Sequence, residues 1–190
     1  MPRATMAGPL AEALVRGGAR CAEVTFRTPE AEQVLKAMAA HGGLTAGAGT
    51  VLTPEQAERA VAAGARFVVS PGFDPHVVAK CRMSGVPILP CIATATELLR
   101  ALRAGINTVK LFPAAALGGV PMLKSPAAPF TQVRFVPTGG IGHARMSGYL
   151  AHPAVLAVGG SRMATAGHLE RGEYPEIRRL TTEAVARSAA

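Results

Sequence analysis

A lysine in the middle of a short apolar run is the first residue whose type and position suggest chemistry. Residues 107–112 read NTVKLF, and the period of a β-strand puts Lys110 and Phe112 on one face and Val109 and Leu111 on the other. If the Lys110 side chain is enclosed, the loss of water favours its uncharged amine, which can form a Schiff base with a carbonyl. The alternative is a lysine that reaches solvent or pairs with a carboxylate.

Polar residues near the ends of two other apolar runs can supply further steps of such a reaction. In CAEVTFR at 21–27, Glu23 and Arg27 share one strand face. Glu23 can carry the protons that carbon–carbon cleavage requires, and Arg27 can hold a carboxylate through two parallel hydrogen bonds. Thr50 follows the glycine-rich run GAG, where a ligand can approach the backbone. The alternatives are an ion pair between Glu23 and Arg27 and a turn role for the Thr50 hydroxyl.

Two glycine pairs follow the last two apolar runs, in PTGGIG at 137–142 and VGGSRM at 158–163. Backbone N–H groups in such turns bind phosphate, and in closed α/β barrels this site often follows strands seven and eight. The hydroxyls of Thr138 and Ser161 can add hydrogen bonds. Together the two turns predict a phosphate site.

Short apolar runs alternate with helix-patterned segments at a spacing of about twenty residues, which predicts repeated strand and helix units in a parallel sheet. The predicted strands are 21–27, 44–49, 66–70, 86–90, 107–112, 133–138 and 155–158. An open doubly wound sheet and a closed (β/α)8 barrel both fit this series. The polar face of 21–27 favours the barrel, because an open sheet would bury Glu23 and Arg27 under helices. The series opens on a helix at 8–17, so the predicted barrel lacks its first strand.

The predicted helices have recognisable starts and ends. Thr28-Pro29, Thr53-Pro54 and Asp74-Pro75 each place a capping residue before a first-turn proline. The helices are expected to end near glycines. These glycines are Gly17, Gly42, Gly64, Gly85 and Gly105.

Composition narrows the class of protein. A chain of 190 residues with 49% apolar content suits a single domain over 1–190. The net charge of +8 is spread over scattered residues and aromatics make up 4% of the chain, which disfavours nucleic-acid binding and suits an anionic small substrate. Three separated cysteines, a single aspartate and five scattered histidines predict reduced thiols and no metal cage. With no long apolar run and no signal-peptide pattern, we expect a cytoplasmic protein without membrane contact.

The chain resembles the KDPG aldolase family, the class I 2-keto-3-deoxy-6-phosphogluconate and 4-hydroxy-2-oxoglutarate aldolases. Six segments carry the resemblance in the family's order: EVTFRTPEA at 23–31, GAGTVLTPEQ at 47–56, FVVSPG at 67–72, VKLFPA at 109–114, FVPTGGI at 135–141 and GGS at 159–161. The resemblance implies a homotrimeric (β/α)8 barrel of the Entner–Doudoroff pathway that needs no metal or organic cofactor.

The resemblance also implies a role for each matching residue. Lys110 would form the Schiff base, Glu23 would be the general acid and base acting through a water, and Arg27 with Thr50 would hold the pyruvate carboxylate. Two pocket residues and four phosphate-binding residues complete the implied site: Pro90, Phe112, Thr138, Gly139, Gly140 and Ser161. The implied substrates are the phosphorylated 2-keto acid KDPG and, as a second possibility, 4-hydroxy-2-oxoglutarate.

Three departures from the family pattern bear on this interpretation. The family's first strand has no counterpart, Cys91 stands where glycine is usual, and Ala115 stands where glutamate is common. A barrel without one strand would expose sheet edges. A start site placed too far downstream or a trimmed chain, a covering subunit, and a natural short form with impaired activity each explain the gap. The alternative function is therefore a catalytically impaired barrel that still binds phosphate ligands.

Overall fold

The computed structural model describes residues 3–188, in which helices alternate with parallel strands. This part of the chain contains six strands: β1 (Cys21–Thr25), β2 (Thr45–Gly49), β3 (Val68–Ser70), β4 (Ile88–Ile92), β5 (Thr108–Leu111) and β6 (Arg134–Pro137). The predicted α/β class with parallel strands is confirmed. Six strands do not confirm an eight-stranded barrel.

The predicted strand at 155–158 is not a continuous strand. Val155, in this segment, makes one isolated parallel bridge to Phe135 of β6, and Gly159, directly after the segment, makes another to Thr138. Two such contacts are too widely separated to form a ladder. At the other end of the described residues, no strand precedes β1.

The helices lie between and after the strands. They are α1 (Ala4–Arg16), α2 (Ala31–Ala39), α3 (Pro54–Ala62), α4 (Pro75–Met83), α5 (Ala95–Arg103), α6 (Gly119–Ala127), α7 (His143–Leu150), a short 3-10 helix (Arg162–Ala164), α8 (Ala166–Glu170) and α9 (Tyr174–Ser188). Among the helices of the described chain, none is both long enough and apolar enough to cross a bilayer.

The described residues form two compact units. The first unit contains the chain up to Ser70, the segment His76–Ile88 and the chain from Ser161 onward. The second unit contains Pro71–Pro75 and Leu89–Gly160. A single domain over the whole chain stays a prediction.

In the first unit, β1, β2 and β3 run parallel in sequence order. The register pairs Thr25 with Gly49 and Ala48 with Val68. The alternate residues Val24 and Ala48 are buried in one apolar cluster with residues of α1, α2 and α3. This packing leaves the other face of β1 and β2 for Glu23, Thr25 and the glycines of β2, as the strand period predicts.

In the second unit, β4, β5 and β6 are also parallel neighbours in sequence order. Val109 and Leu111 of β5 are fully buried with Leu98 of α5 and Leu123 of α6. The predicted division of β5 into an apolar face under helices and a second face carrying Lys110 is confirmed.

Two of the predicted helix boundaries differ from those observed. The prediction that Thr28 caps α2 is wrong: residues 26–30 form a turn in which the Thr28 carbonyl accepts from the Ala31 N–H, and Glu30 occupies the N-cap position. Glu30 also accepts a hydrogen bond from the Ala4 N–H at 3.1 Å. This carboxylate satisfies a donor at the start of α1, which begins earlier than the predicted 8–17.

Side-chain caps fix the starts of α3 and α5. The Thr53 hydroxyl accepts from the Gln56 N–H, as predicted, and Thr94 forms a capping box with Glu97. Burial alone would raise the pKa of Glu97, but hydrogen bonds from the Ala93 and Thr94 N–H groups and the Thr94 hydroxyl lower it overall. The carboxylate is therefore stabilised in its charged form.

Replacing Thr94 with alanine should lower the free energy of unfolding by about 1 kcal/mol, because the Glu97 N–H loses its acceptor. Thr96, an exposed residue of the same helix, provides the matched control. Thr96→Ala should change the free energy of unfolding by less than about 0.5 kcal/mol. Denaturant unfolding of the two variants measures both values, and equal losses would show that the cap contributes nothing specific.

Candidate active site

Lys110 lies in the middle of β5 with 8% of its surface exposed. The strand registers pair it with Cys91 of β4 on one side and with Val136 of β6 on the other. Its Nζ atom lies 5.9 Å from the ring centroid of Phe112, which is within the range of a cation–π contact. The amine therefore sits on a buried strand, flanked by two side chains and next to an aromatic ring.

The ring of Phe112 packs closely against the turn that follows β6. A Cβ atom added to Gly139 would lie 2.9 Å from Phe112 Cε2, and Gly139 has a φ of 97°. Glycine is required at this position for two reasons: the Phe112 ring approaches the backbone closely, and the backbone is left-handed. The Ala114 N–H donates to the Thr138 carbonyl at 2.8 Å, which fixes the segment after β5 to the segment after β6.

Thr138, Gly139 and Gly140 form one turn after β6. The Thr138 hydroxyl donates to the Val136 carbonyl at 3.4 Å, and Gly140 also has a positive φ, of 70°. Ser161 is exposed and lies in the first unit, directly before the short 3-10 helix. Within the second unit the structure thus brings together Lys110 and the residues of this turn around Phe112.

In the first unit, the Glu23 side chain lies across the backbone of β2. A Cβ atom added to Gly49 would overlap Oε1 of Glu23 and lie 2.5 Å from its Cδ atom. The Phe26 N–H donates to the Gly49 carbonyl at 2.7 Å, and Arg27 Nε donates to the Thr25 hydroxyl at 3.3 Å. The glycine at 49 therefore provides the space that the Glu23 carboxylate occupies.

Thr50 directly follows Gly49 and has a φ of 58°. A left-handed backbone is unusual for a β-branched residue and costs about 1–3 kcal/mol. Hydrogen bonds to the Gly49 carbonyl on one side and from the Val51 N–H to the Val69 carbonyl on the other hold the chain in place. Such an outlier next to a carboxylate suggests a functional position.

A cleft of about 360 Å³ opens beside Arg27 in the first unit and is also lined by Thr28, Gln56 and Arg59. Arg59 forms an ion pair with Glu32 at 2.7 Å. The cleft therefore presents two guanidinium groups and one carboxylate.

Sequence reasoning noted Cys91 as a departure from the family's usual glycine that could narrow the pocket, but did not place it beside Lys110, and it did not name Val136. The predicted strand 86–90 ended one residue before Cys91, whereas β4 extends over Ile88–Ile92. By strand alternation Cys91, and not the neighbouring Pro90, leaves β4 on the same side as Lys110. Extending the strand pattern past Pro90 would have found it.

The described residues contain no group of three His, Cys, Asp or Glu side chains that could hold a metal ion.

The parallel strands, the buried strand lysine and the glycine turn after the next strand define an α/β protein with an enclosed amine. The model of the family described as "Aldolase: KDPG and KHG aldolase" matches residues 2–180. The chain belongs to this aldolase family, so the resemblance seen in the sequence is confirmed.

A curated relative and two solved structures are similar over nearly the whole chain. The 2-dehydro-3-deoxy-phosphogluconate aldolase of Treponema pallidum (strain Nichols) is 52% identical, over 96% of this chain and 88% of its own. The 2-keto-3-deoxy-6-phosphogluconate aldolase of Zymomonas mobilis ZM4, solved with 3-phosphoglycerate, is 40% identical with a TM-score of 0.92, over 97% of this chain and 87% of its own. The KDPG aldolase of Legionella pneumophila was solved with pyruvate captured as a covalent carbinolamine. It is 41% identical with a TM-score of 0.92, over 96% of this chain and 89% of its own.

Gly49→Ala should lower the rate of KDPG cleavage by about tenfold or more, because the new Cβ displaces the Glu23 carboxylate. The melting temperature should change little, since the end of a flexible side chain can move. Gly42→Ala is the control, because nothing lies within 4 Å of a Cβ added there. Steady-state kinetics and thermal unfolding of both variants test this, and an unchanged kcat in Gly49→Ala would contradict it.

Proposed function

We propose that this chain is a Schiff-base aldolase that cleaves KDPG to pyruvate and glyceraldehyde 3-phosphate, and 4-hydroxy-2-oxoglutarate to pyruvate and glyoxylate. The observation that carries the proposal is the burial of Lys110 on β5 beside Phe112. Membership of the aldolase family and the carbinolamine of the Legionella relative support it.

In the proposed reaction, the Lys110 amine attacks the C2 ketone of the substrate to give a carbinolamine. Loss of water then leaves an iminium ion, which can accept the electron pair of the bond that breaks. Enclosure of the lysine supports this step, because an excluded-water site protects a reactive imine from early hydrolysis.

We assign the proton transfers to Glu23, acting through a water. Removal of the C4 hydroxyl proton allows the C3–C4 bond to break, so that the aldehyde leaves and an enamine of pyruvate stays on the lysine. Protonation of this enamine at C3 and hydrolysis of the imine release pyruvate and restore the amine. The fixed position of the Glu23 carboxylate across Gly49 supports a positioned acid and base.

The remaining residues are proposed to hold the two ends of the substrate. Arg27 and Thr50 bind the carboxylate next to the ketone, and Phe112 lines the pocket. Pro90, which the resemblance also implied, lies on the face of β4 opposite to Cys91 and is left out of the proposed pocket. Thr138, Gly139, Gly140 and Ser161 bind the phosphate. The Thr138 hydroxyl and the left-handed glycines of its turn support a phosphate role, as does the 3-phosphoglycerate in the Zymomonas relative. A homotrimer, a cytoplasmic location, a place in the Entner–Doudoroff pathway and independence of cofactors stay predictions.

Borohydride reduction in the presence of pyruvate should attach one reduced pyruvyl group to the protein, because hydride converts the imine to a stable amine. Lys110→Met keeps an unbranched side chain that is one atom shorter and removes the nucleophile, so this variant should acquire no adduct. Lys124→Met removes an exposed lysine of α6 and should be labelled like the wild type. Intact-mass measurement shows which of the three proteins carry the added mass of the reduced pyruvyl group.

Equal labelling of the wild type and Lys110→Met would contradict the assignment of the Schiff base. A wild-type protein that binds sugar phosphates but forms neither the adduct nor free pyruvate would favour the catalytically impaired phosphate-binding barrel.

Thr138→Val and Ser161→Ala should each raise the KM for KDPG by about tenfold, because each removes a hydrogen bond to a charged group. The KM for 4-hydroxy-2-oxoglutarate should stay within about twofold of the wild-type value, because this substrate has no phosphate and loses no such hydrogen bond. The control is Thr108→Val, which changes a threonine at the first position of β5. A coupled assay of pyruvate release from both substrates measures these values; equal effects on the two substrates would contradict a phosphate role.

A further inference from the structure

The Lys110 side chain has a wall on each side, formed by its register partners on the neighbouring strands. Cys91 and Val136 leave the sheet on the same face as Lys110, and adjacent strands are about 4.8 Å apart. Cys91 is only 5% exposed, whereas Val136 is half-buried. The cysteine is therefore the more enclosed of the two walls.

We propose that Cys91 is a specificity-determining residue that limits the size of the 2-keto acid able to form an imine with Lys110. This inference rests on the proposed function, since it assumes that Lys110 is the amine that reacts. A buried side chain in a close-packed strand cannot easily move aside for a larger substrate. The volume of Cys91 then sets the space available beside the imine.

The size of the thiol suggests a suitable pair of probes. Cys91→Ala removes one sulfur atom and leaves room comparable to one methylene group. Pyruvate and 2-oxobutanoate differ by one methylene group, a difference that a pocket typically discriminates by about 10- to 200-fold. Removing the wall should therefore relax the preference for pyruvate without adding any new contact.

The experiment measures the rate of borohydride-dependent adduct formation with 2-oxobutanoate and with pyruvate at equal concentrations. Relative to the wild type, Cys91→Ala should raise the ratio of the two rates by about tenfold. Cys91→Ser replaces the sulfur with a smaller oxygen atom at the same position, so it should raise the ratio less than Cys91→Ala does. Cys91→Val enlarges the wall and should lower the ratio, which provides a second test in the opposite direction if the alanine variant folds poorly.

A general loss of stability would slow both reactions together and would not change their ratio. An unchanged ratio in Cys91→Ala and Cys91→Val, with pyruvate labelling intact, would overturn this inference alone. An equal rise in Cys91→Ala and Cys91→Ser would also overturn it, because the effect would then come from the thiol and not from its size. Failure of the wild type to form any pyruvate adduct would overturn the proposed function as well.

Discussion

The burial of Val109 and Leu111 is the interaction on which the position of Lys110 depends. Both side chains are fully enclosed among residues of α5, α6 and the neighbouring strands. Because side chains alternate along a strand, fixing these two fixes the direction in which the lysine between them leaves the sheet. The apolar core of the second unit thus orients the Lys110 side chain.

Two other candidate groups, the Glu23 carboxylate and the Phe112 ring, lie directly against the backbone at glycine residues. At Gly49 the absence of a Cβ leaves room for the Glu23 carboxylate, and at Gly139 it leaves room for the Phe112 ring. The left-handed Thr50 adds backbone strain at the same end of β2 as Gly49. These positions favour function over stability, since a side chain at either glycine would fill the space that a candidate group now occupies.

Much of the fold follows from short-range patterns that sequence reasoning can read. The alternation in NTVKLF and the cap at Thr53 were predicted correctly, because both depend on near neighbours in the chain. Thr28 was assigned as a cap by the same rule, but the turn before α2 uses its backbone carbonyl and leaves Glu30 to start the helix. The assigned roles of Glu23, Lys110 and the phosphate-binding residues stay predictions.

The sequence by itself determined the parallel α/β class, the face on which Lys110 lies and membership of an aldolase family, because local periodicity and ordered motifs carry that information. Only the tertiary structure decided which residues flank the lysine. Cys91 and Val136 are its neighbours through strand register, and register depends on how separate segments of the chain pack together. The same reason explains why residues 155–158 make one isolated bridge and no continuous strand: pairing needs a partner strand in the right position, and an apolar run alone does not provide one.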